Sequence, residues 1–217
     1  MKTDMELKND VLAELLWEPG VDAAEIGVAV EHGVVTLSGN VNTYYKKWIA
    51  ERAAKRVSGV KALAEEIKVK LPGSSQRTDT DIAEAAVNAM ELNDSVPDDL
   101  IEVKVENGRI TLGGEVSWQY QKRAAEGAVG HLVGVKGVNN YLTVKPKEKP
   151  VEVKAKIIEA FERHARLDAQ KIQVVTIGGK VILHGSVPSW AEREEAEDAA
   201  WASPGVSDVE NHIMVVH

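Results

Sequence analysis

The chain of 217 residues contains no cysteine. That excludes disulfides, thiolate nucleophiles, lipid attachment through an N-terminal cysteine, iron–sulfur clusters and cysteine-based zinc sites. Aromatic residues are scarce, at 5% with a single phenylalanine, and no apolar run approaches the length needed to cross a membrane. Basic residues are outnumbered, 26 Lys plus Arg against 34 Asp plus Glu, a formal net charge of −8. A chain of this sign without a basic patch is poorly suited to nucleic acid, whose binding depends on Lys and Arg displacing counterions from phosphates. What remains, 44% hydrophobic and 28% charged residues, is the composition of an ordinary globular protein. The segment Met1–Lys8 alternates charges and has no apolar signal core. A cytoplasmic location is therefore expected, with the periplasm the alternative for a chain whose leader has been removed.

The main positive feature is repetition. Met5–Val69 aligns without gaps on Thr80–Val144 at an offset of 75, and Thr80–Val144 on Val151–Val215 at an offset of 71. The frame is a Gly-x5-Gly pair, Gly33/Gly39, Gly108/Gly114 and Gly179/Gly185, followed twenty residues later by Gly59-Val60, Gly134-Val135 and Gly205-Val206. Domains are expected over 1–70, 78–145 and 150–217. The stretches Lys70–Asp79 and Lys145–Pro150, rich in Pro, Gly, Ser and charge, read as connections between them.

Each unit opens with apolar residues at helical spacing: Leu7, Val11, Leu12, Leu15 and Leu16; Ile82, Ala86, Val87 and Met90; Ile157, Ile158 and Phe161. Thr3-x-x-Glu6 predicts a capping box and Asp81-x-x-Glu84 a weaker one. Alternation follows at Ile26/Val28/Val30, Ile101/Val103/Val105 and Ile172/Val174/Thr176, predicting a strand. The next turn holds His32, Asn107 or Gly178 and then glycine, a set tolerant of positive φ that predicts a tight hairpin with a primed turn. The second strand alternates Val35/Leu37, Ile110/Leu112 and Val181/Leu183 and is expected to end at the second glycine. A second helix with an alanine-rich stripe follows, capped in the third unit by Ser189-x-x-Glu192, and the Gly-Val pair is expected to end it with glycine at C′. A third strand closes the unit. The expected class is α+β, three tandem α-β-β-α-β units of two helices on a three-stranded sheet.

These residues resemble the BON family, the bacterial OsmY and nodulation module. The resemblance rests on Val28-x-Val30-x2-Gly33-x-Val35-x-Leu37-x-Gly39-x-Val41 with Gly59-Val60. The second copy matches at Val103, Val105, Gly108, Ile110, Leu112, Gly114 and Val116 with Gly134-Val135. The third matches at Val174, Gly179, Val181, Leu183, Gly185 and Val187 with Gly205-Val206. It implies a role in osmotic or envelope stress, with phospholipid-surface binding and, as known for one relative, potassium binding.

No constellation for catalysis stands out. Six histidines, His32, His131, His164, His184, His212 and His217, show no metal-ligand spacing, and the pairs Asp98-Asp99 and Glu194-Glu195 have no counterpart in the other repeats. The glycines match neither nucleotide-binding pattern. The expectation is a protein that is not an enzyme and has no metal site. Aromatic residues gather near the start of each second helix: Tyr44, Tyr45 and Trp48; Trp118 and Tyr120; Trp190. They read either as packing between units or as an interfacial rim. Residues 1–70 carry 10 basic against 11 acidic side chains, the least acidic unit. A lipid-binding set of Tyr44, Tyr45, Lys46, Lys47, Trp48, Lys55 and Arg56 is expected there, with a phospholipid surface or a client protein as partner. The alternative is a cytoplasmic potassium sensor coordinating the ion through backbone carbonyls.

Overall fold

A computed structural model describes residues 2–146, 152–163 and 169–216. The architecture is α+β, one element order run three times. The first run is α1 (Asp4–Trp17), β1 (Ile26–Glu31), β2 (Val34–Val41), α2 (Tyr44–Arg56) and β3 (Ala62–Val69). The second is α3 (Asp79–Glu91), β4 (Ile101–Glu106), β5 (Arg109–Val116), α4 (Gln119–Gly130) and a third strand in two pieces, β6 (Gly137–Asn140) and β7 (Thr143–Val144). The third is α5 (Val153–Arg163), β8 (Ile172–Ile177), β9 (Lys180–Val187), α6 (Trp190–Trp201) and β10 (Asp208–Val215). By contact the chain forms two compact units. One comprises Met1–Gly39, Ile49–Glu66 and Pro146–His217; the other comprises Asn40–Trp48 and Ile67–Lys145.

In each sheet the second strand is central. The first strand pairs with it antiparallel, in the registers Val28↔Leu37, Val103↔Leu112 and Val174↔Leu183, so the alternating apolar residues of both strands share the helix-covered face. In the second and third sheets the third strand runs parallel to the central one, reached through the crossover helix that such a connection requires. Its ends are pinned alike in all three repeats. Lys61, Lys136 and Ser207 donate backbone N–H bonds of 2.8–2.9 Å to the carbonyls of Gly33, Gly108 and Gly179; Lys70, Lys145 and Val216 donate to Val41, Val116 and Val187 at 2.7–2.9 Å. Under each sheet lies a small core: Leu7, Val11, Leu15, Val35 and Leu37 in the first; Ile82, Met90, Ile110, Leu112 and Leu142 in the second; Ile157, Phe161, Val181, Leu183 and Ile213 in the third.

The hairpin turns behave as their residue types predict. His32, Asn107 and Gly178 have φ of 53°, 52° and 59°, whereas Gly179, unlike Gly33 and Gly108, stays outside the left-handed region. A clasp not visible in the sequence holds two of these turns. The Asp4 carboxylate, in the first turn of α1, accepts from the amides of His32 (2.8 Å) and Gly33 (3.0 Å); Asp79 accepts from Asn107 and Gly108, both at 2.8 Å. Thr3 and Glu6 form the expected capping box, and Ser189 Oγ accepts from the Glu192 amide.

Several expectations are corrected. The cap of α3 is Thr78 with Asp81 as its third residue, because the helix starts at the end of the linker, two residues before Asp81. Gly39, Gly114 and Gly185 do not end the second strand; they lie two residues inside it, with φ of 132°, 122° and 135°. A Cβ on any of them would sit 2.0–2.1 Å from the carbonyl oxygen of Glu25, Leu100 or Lys171, just before the first strand. Gly59, Gly134 and Gly205 do have positive φ but lie beyond C′. Gly134 and Gly205 are third in the turns Leu132–Val135 and Ser203–Val206, closed by the amides of Val135 and Val206, and with φ of 98° and 85° they take the positive φ that favours glycine at that place. Leu16 and Val87 leave the buried stripes and face solvent. Asn140 ties the third strand to α4 between β6 and β7, although the same tie in the third repeat leaves β10 unbroken. Asn140 Nδ2 donates to Lys122 O (2.9 Å) and Glu126 (3.1 Å), and its Oδ1 accepts from Leu142 N (3.2 Å). Asn211 makes the corresponding bonds to Arg193 O, Glu197 and Ile213 N.

Two outcomes are expected. Gly114→Ala loses at least about 2 kcal/mol in urea unfolding, from the strained φ and the clash with Leu100 O. Its neighbour Gly113, with nothing within 4 Å of a built Cβ, tolerates Ala to within about 0.5 kcal/mol; equal losses at both would remove the special role of Gly114. The hydrogen bonds from His32 and Gly33 hold the Asp4 carboxyl below the usual aspartate value of 3.8. A depressed carboxylate contributes stability above its unfolded pKa and loses it as the pH falls through the lower folded value. Unfolding followed below pH 4 is expected to show a shallower acid-side decline for Asp4→Asn than for the unsubstituted chain; parallel curves would contradict the clasp.

Candidate functional site

The expected lipid-binding residues all fall on α2, but not in one cluster. Tyr44, Tyr45, Lys46, Lys47 and Trp48 form its first turn and a residue beyond, whereas Lys55 and Arg56 end it. At about 1.5 Å of rise per residue these groups lie at opposite ends of the helix.

The aromatic end is packed. Tyr45 lies 6.0 Å from Trp48, with ring planes 26° apart, and 4.1 Å from the ring of His131, next after α4. Tyr44 packs on the core beneath α3 and α4, within ordinary contact of the position of Gly130. Lys47 Nζ donates to the carbonyl of Ile67 at 3.1 Å. All these residues belong to the unit built around the second repeat.

The basic end is charge-compensated. Lys55 meets Glu51 at 2.9 Å and Glu194 at 3.2 Å. Burial alone would push its pKa down, but the two carboxylates outweigh burial and leave it above the ordinary lysine value. Arg56 binds Glu14 and Glu18, each at 2.8 Å, and the bond to Glu18 leads the causes that raise it. These cations are available to an anionic surface only in exchange for their carboxylates, and exposed exchanges of that kind are worth little.

The aromatics of the other repeats are arranged differently. Trp118 and Tyr120 lie 6.5 Å apart, with Tyr120 exposed. Lys122 nearby is held below the ordinary lysine value by burial, which the charge of Glu126 opposes in part. Trp190 is covered by Arg193, 5.0 Å from the ring centre, and Arg193 also donates to the carbonyls of Ile213 and Asn211. Glu194 pairs with Lys55, and Asp98-Asp99 opens a single 3-10 turn before β4. Among the described residues no three of His, Asp and Glu converge as metal ligands, and no helix is long and apolar enough to cross a membrane. His164 and His217 lie outside the described residues.

Sequence reasoning missed the most protruding apolar side chains. Trp17 is 83% exposed and Leu16 beside it is also exposed; at the position equivalent to Trp17 in the second repeat, Leu92 is 87% exposed. The signal was present. With Leu7, Val11 and Leu15 facing the core, steps of about 100° per residue place residues 16 and 17 on opposite sides of the helix, both turned well over a right angle from the centre of that stripe, and Pro19-Gly20 then ends the segment.

The family model described as BON domain matches residues 3–70, 78–146 and 151–217. A curated relative, "Osmotically-inducible protein Y" of Escherichia coli (strain K12), is 30% identical over 146 residues, covering 65% of this chain and 73% of its own. Among solved structures, the C-terminal domain of CdsD, the structural protein of the type III secretion system of Chlamydia trachomatis, aligns over 100% of both chains at 12% identity. Its TM-score of 0.26 is too low to bear on the fold. With glycine frame, strand register and family model recurring at the same three places, the chain belongs to the BON-domain family, as three tandem copies.

Proposed function

We propose that the protein is a non-enzymatic binding protein of an osmotic-stress response that attaches to phospholipid surfaces through exposed apolar residues. The stress assignment is drawn from the name of its relative in Escherichia coli. The observation that carries the surface reading is the pair Leu16 and Trp17, adjacent and exposed at the end of α1 on a chain whose other large side chains are mostly committed to cores. An indole with its apolar body outward and an N–H to spare suits the boundary between headgroups and acyl chains. The rim of Tyr44, Tyr45, Lys46, Lys47 and Trp48 supports the reading less strongly, since its rings stack on one another and on His131. Lys55 and Arg56 contribute little attraction while Glu51, Glu194, Glu14 and Glu18 hold them.

This reading has a specific signature. Attachment driven by apolar insertion is only weakly sensitive to salt, whereas attachment through free cations falls steeply with it. In flotation with vesicles of zwitterionic lipid, alone or mixed with anionic lipid, the chain is expected to float with both, with little loss between low and physiological salt. Trp17→Ala is expected to abolish most of the binding, and Trp48→Ala to weaken it less. Absence of flotation with every vesicle sinks the proposal. Binding to anionic vesicles alone, lost in physiological salt and indifferent to Trp17→Ala, replaces it with an electrostatic one.

A further inference from the structure

The third sheet brings together two histidines that lie 28 residues apart in the chain. His184 of β9 and His212 of β10 are register partners on adjacent parallel strands. Their neighbours Leu183 and Ile213 are buried in the core, so the two imidazoles stand on the opposite face, both exposed. The ring centres are 5.3 Å apart and the planes 15° from parallel. Glu210, two residues before His212 and on the same face, has a carboxylate oxygen 3.7 Å from His212 Nε2. Its other oxygen is engaged by Lys180, which also approaches Asp208 at 3.8 Å. The patch holds two carboxylates against one ammonium, a local field that favours a cation. The other repeats have nothing similar: the positions equivalent to His184 are Ser38 and Gly113, and those equivalent to His212 are Glu66 and Tyr141.

We propose that His184 and His212 form a binding site for a divalent transition-metal ion of the class that prefers imidazole nitrogen, copper, nickel or zinc. One ring nitrogen from each histidine would bind the ion, with water in the remaining positions. Imidazole is a borderline ligand that these ions favour and that magnesium and calcium, which select oxygen, do not. The fold supplies what two histidines in a flexible chain lack. The parallel register holds both donors on one face, so that once the first nitrogen binds, the second ligation is intramolecular. Exposure leaves both rings free to turn about their χ2 angles and direct a nitrogen at a shared point. With no third protein ligand among the described residues, the ion is exchangeable, unlike one in a closed structural site. Because β10 is an edge strand and β9 the central one, the bound ion would also cross-link the edge of the sheet to its middle. The site is independent of the phospholipid reading, and neither stands or falls with the other.

The test is calorimetric titration of the full, untagged chain with nickel, zinc and magnesium chlorides, alongside His184→Gln, His212→Gln and, as a control at an exposed histidine of the first hairpin, His32→Gln. The unsubstituted chain and His32→Gln are expected to bind one equivalent of nickel or zinc and no magnesium. Each of the other variants is expected to lose roughly tenfold or more in affinity. No binding by the unsubstituted chain at millimolar nickel or zinc overturns the proposal, as does undiminished affinity in both variants. Should a variant fail to fold by circular dichroism, copper(II) added to the unsubstituted chain decides the question. Selective broadening of the His184 and His212 ring-proton signals supports the site, and broadening confined to other histidines refutes it.

Discussion

The structure of every repeat depends on one close approach, that of the second strand to the carbonyl that precedes the first. The glycine that allows it lies opposite the first residue of the first strand, as in Ile26↔Gly39, Ile101↔Gly114 and Ile172↔Gly185. A side chain there would push the entry of the first strand outward, and a shifted entry threatens the register. Since a slip of one residue turns every side chain to the other face of a strand, the glycine protects the core indirectly. The third strand inherits the same register, because its start and end are bonded to the two ends of the central strand. A single contact of backbone with backbone thus determines which residues each sheet presents to its helices and which to solvent.

That division governs the chemistry the surface can offer. Covered faces take up most of the aliphatic side chains, and Lys55 and Arg56 at the end of α2 are matched to carboxylates, so that end of the helix offers little uncompensated positive charge. Among the features left for recognition are apolar protrusion at the ends of α1 and α3 and, on the open side of the third sheet, a pair of imidazoles. These are different kinds of ligand feature, and the imidazole pair belongs to the third repeat alone. The repetition supplies a scaffold, and the individuality of each copy lies in residues that the scaffold does not need.

Much of the fold was legible because its signals are local. Period-two alternation marks the strands, and His32, Asn107 and Gly178 each reveal a position of positive φ by residue type alone. The glycines inside the second strands were misread for a physical reason: a strand that ends at glycine and one that passes through a tight approach at glycine look identical in one dimension. The pairings around α2 were illegible because Lys55 meets Glu194 across 139 residues, and Tyr45 meets His131 at the end of another repeat's helix. In the candidate site, residue type singled out the aromatics of α2, but packing, which residue type does not show, decides which rings face solvent. Trp17 was accessible to helical geometry and was lost only because Leu15 and Leu16 extend the apolar pattern beside it. His184 and His212 carry no spacing motif, since they become neighbours only when a crossover helix lays β10 beside β9.

The clasp between the first helix and the hairpin turn is not shared equally. Asp4 and Asp79 provide it in two repeats, while the aligned residue of the third is Pro150, which has no carboxylate to offer. A tie between the start of a helix and a distant turn couples the two, since neither can move away without breaking the hydrogen bonds between turn amides and carboxylate. Where no carboxylate stands at that position, this particular coupling is missing. Copies with a common fold can therefore differ in how they come apart, the first two with turn and helix coupled through one carboxylate.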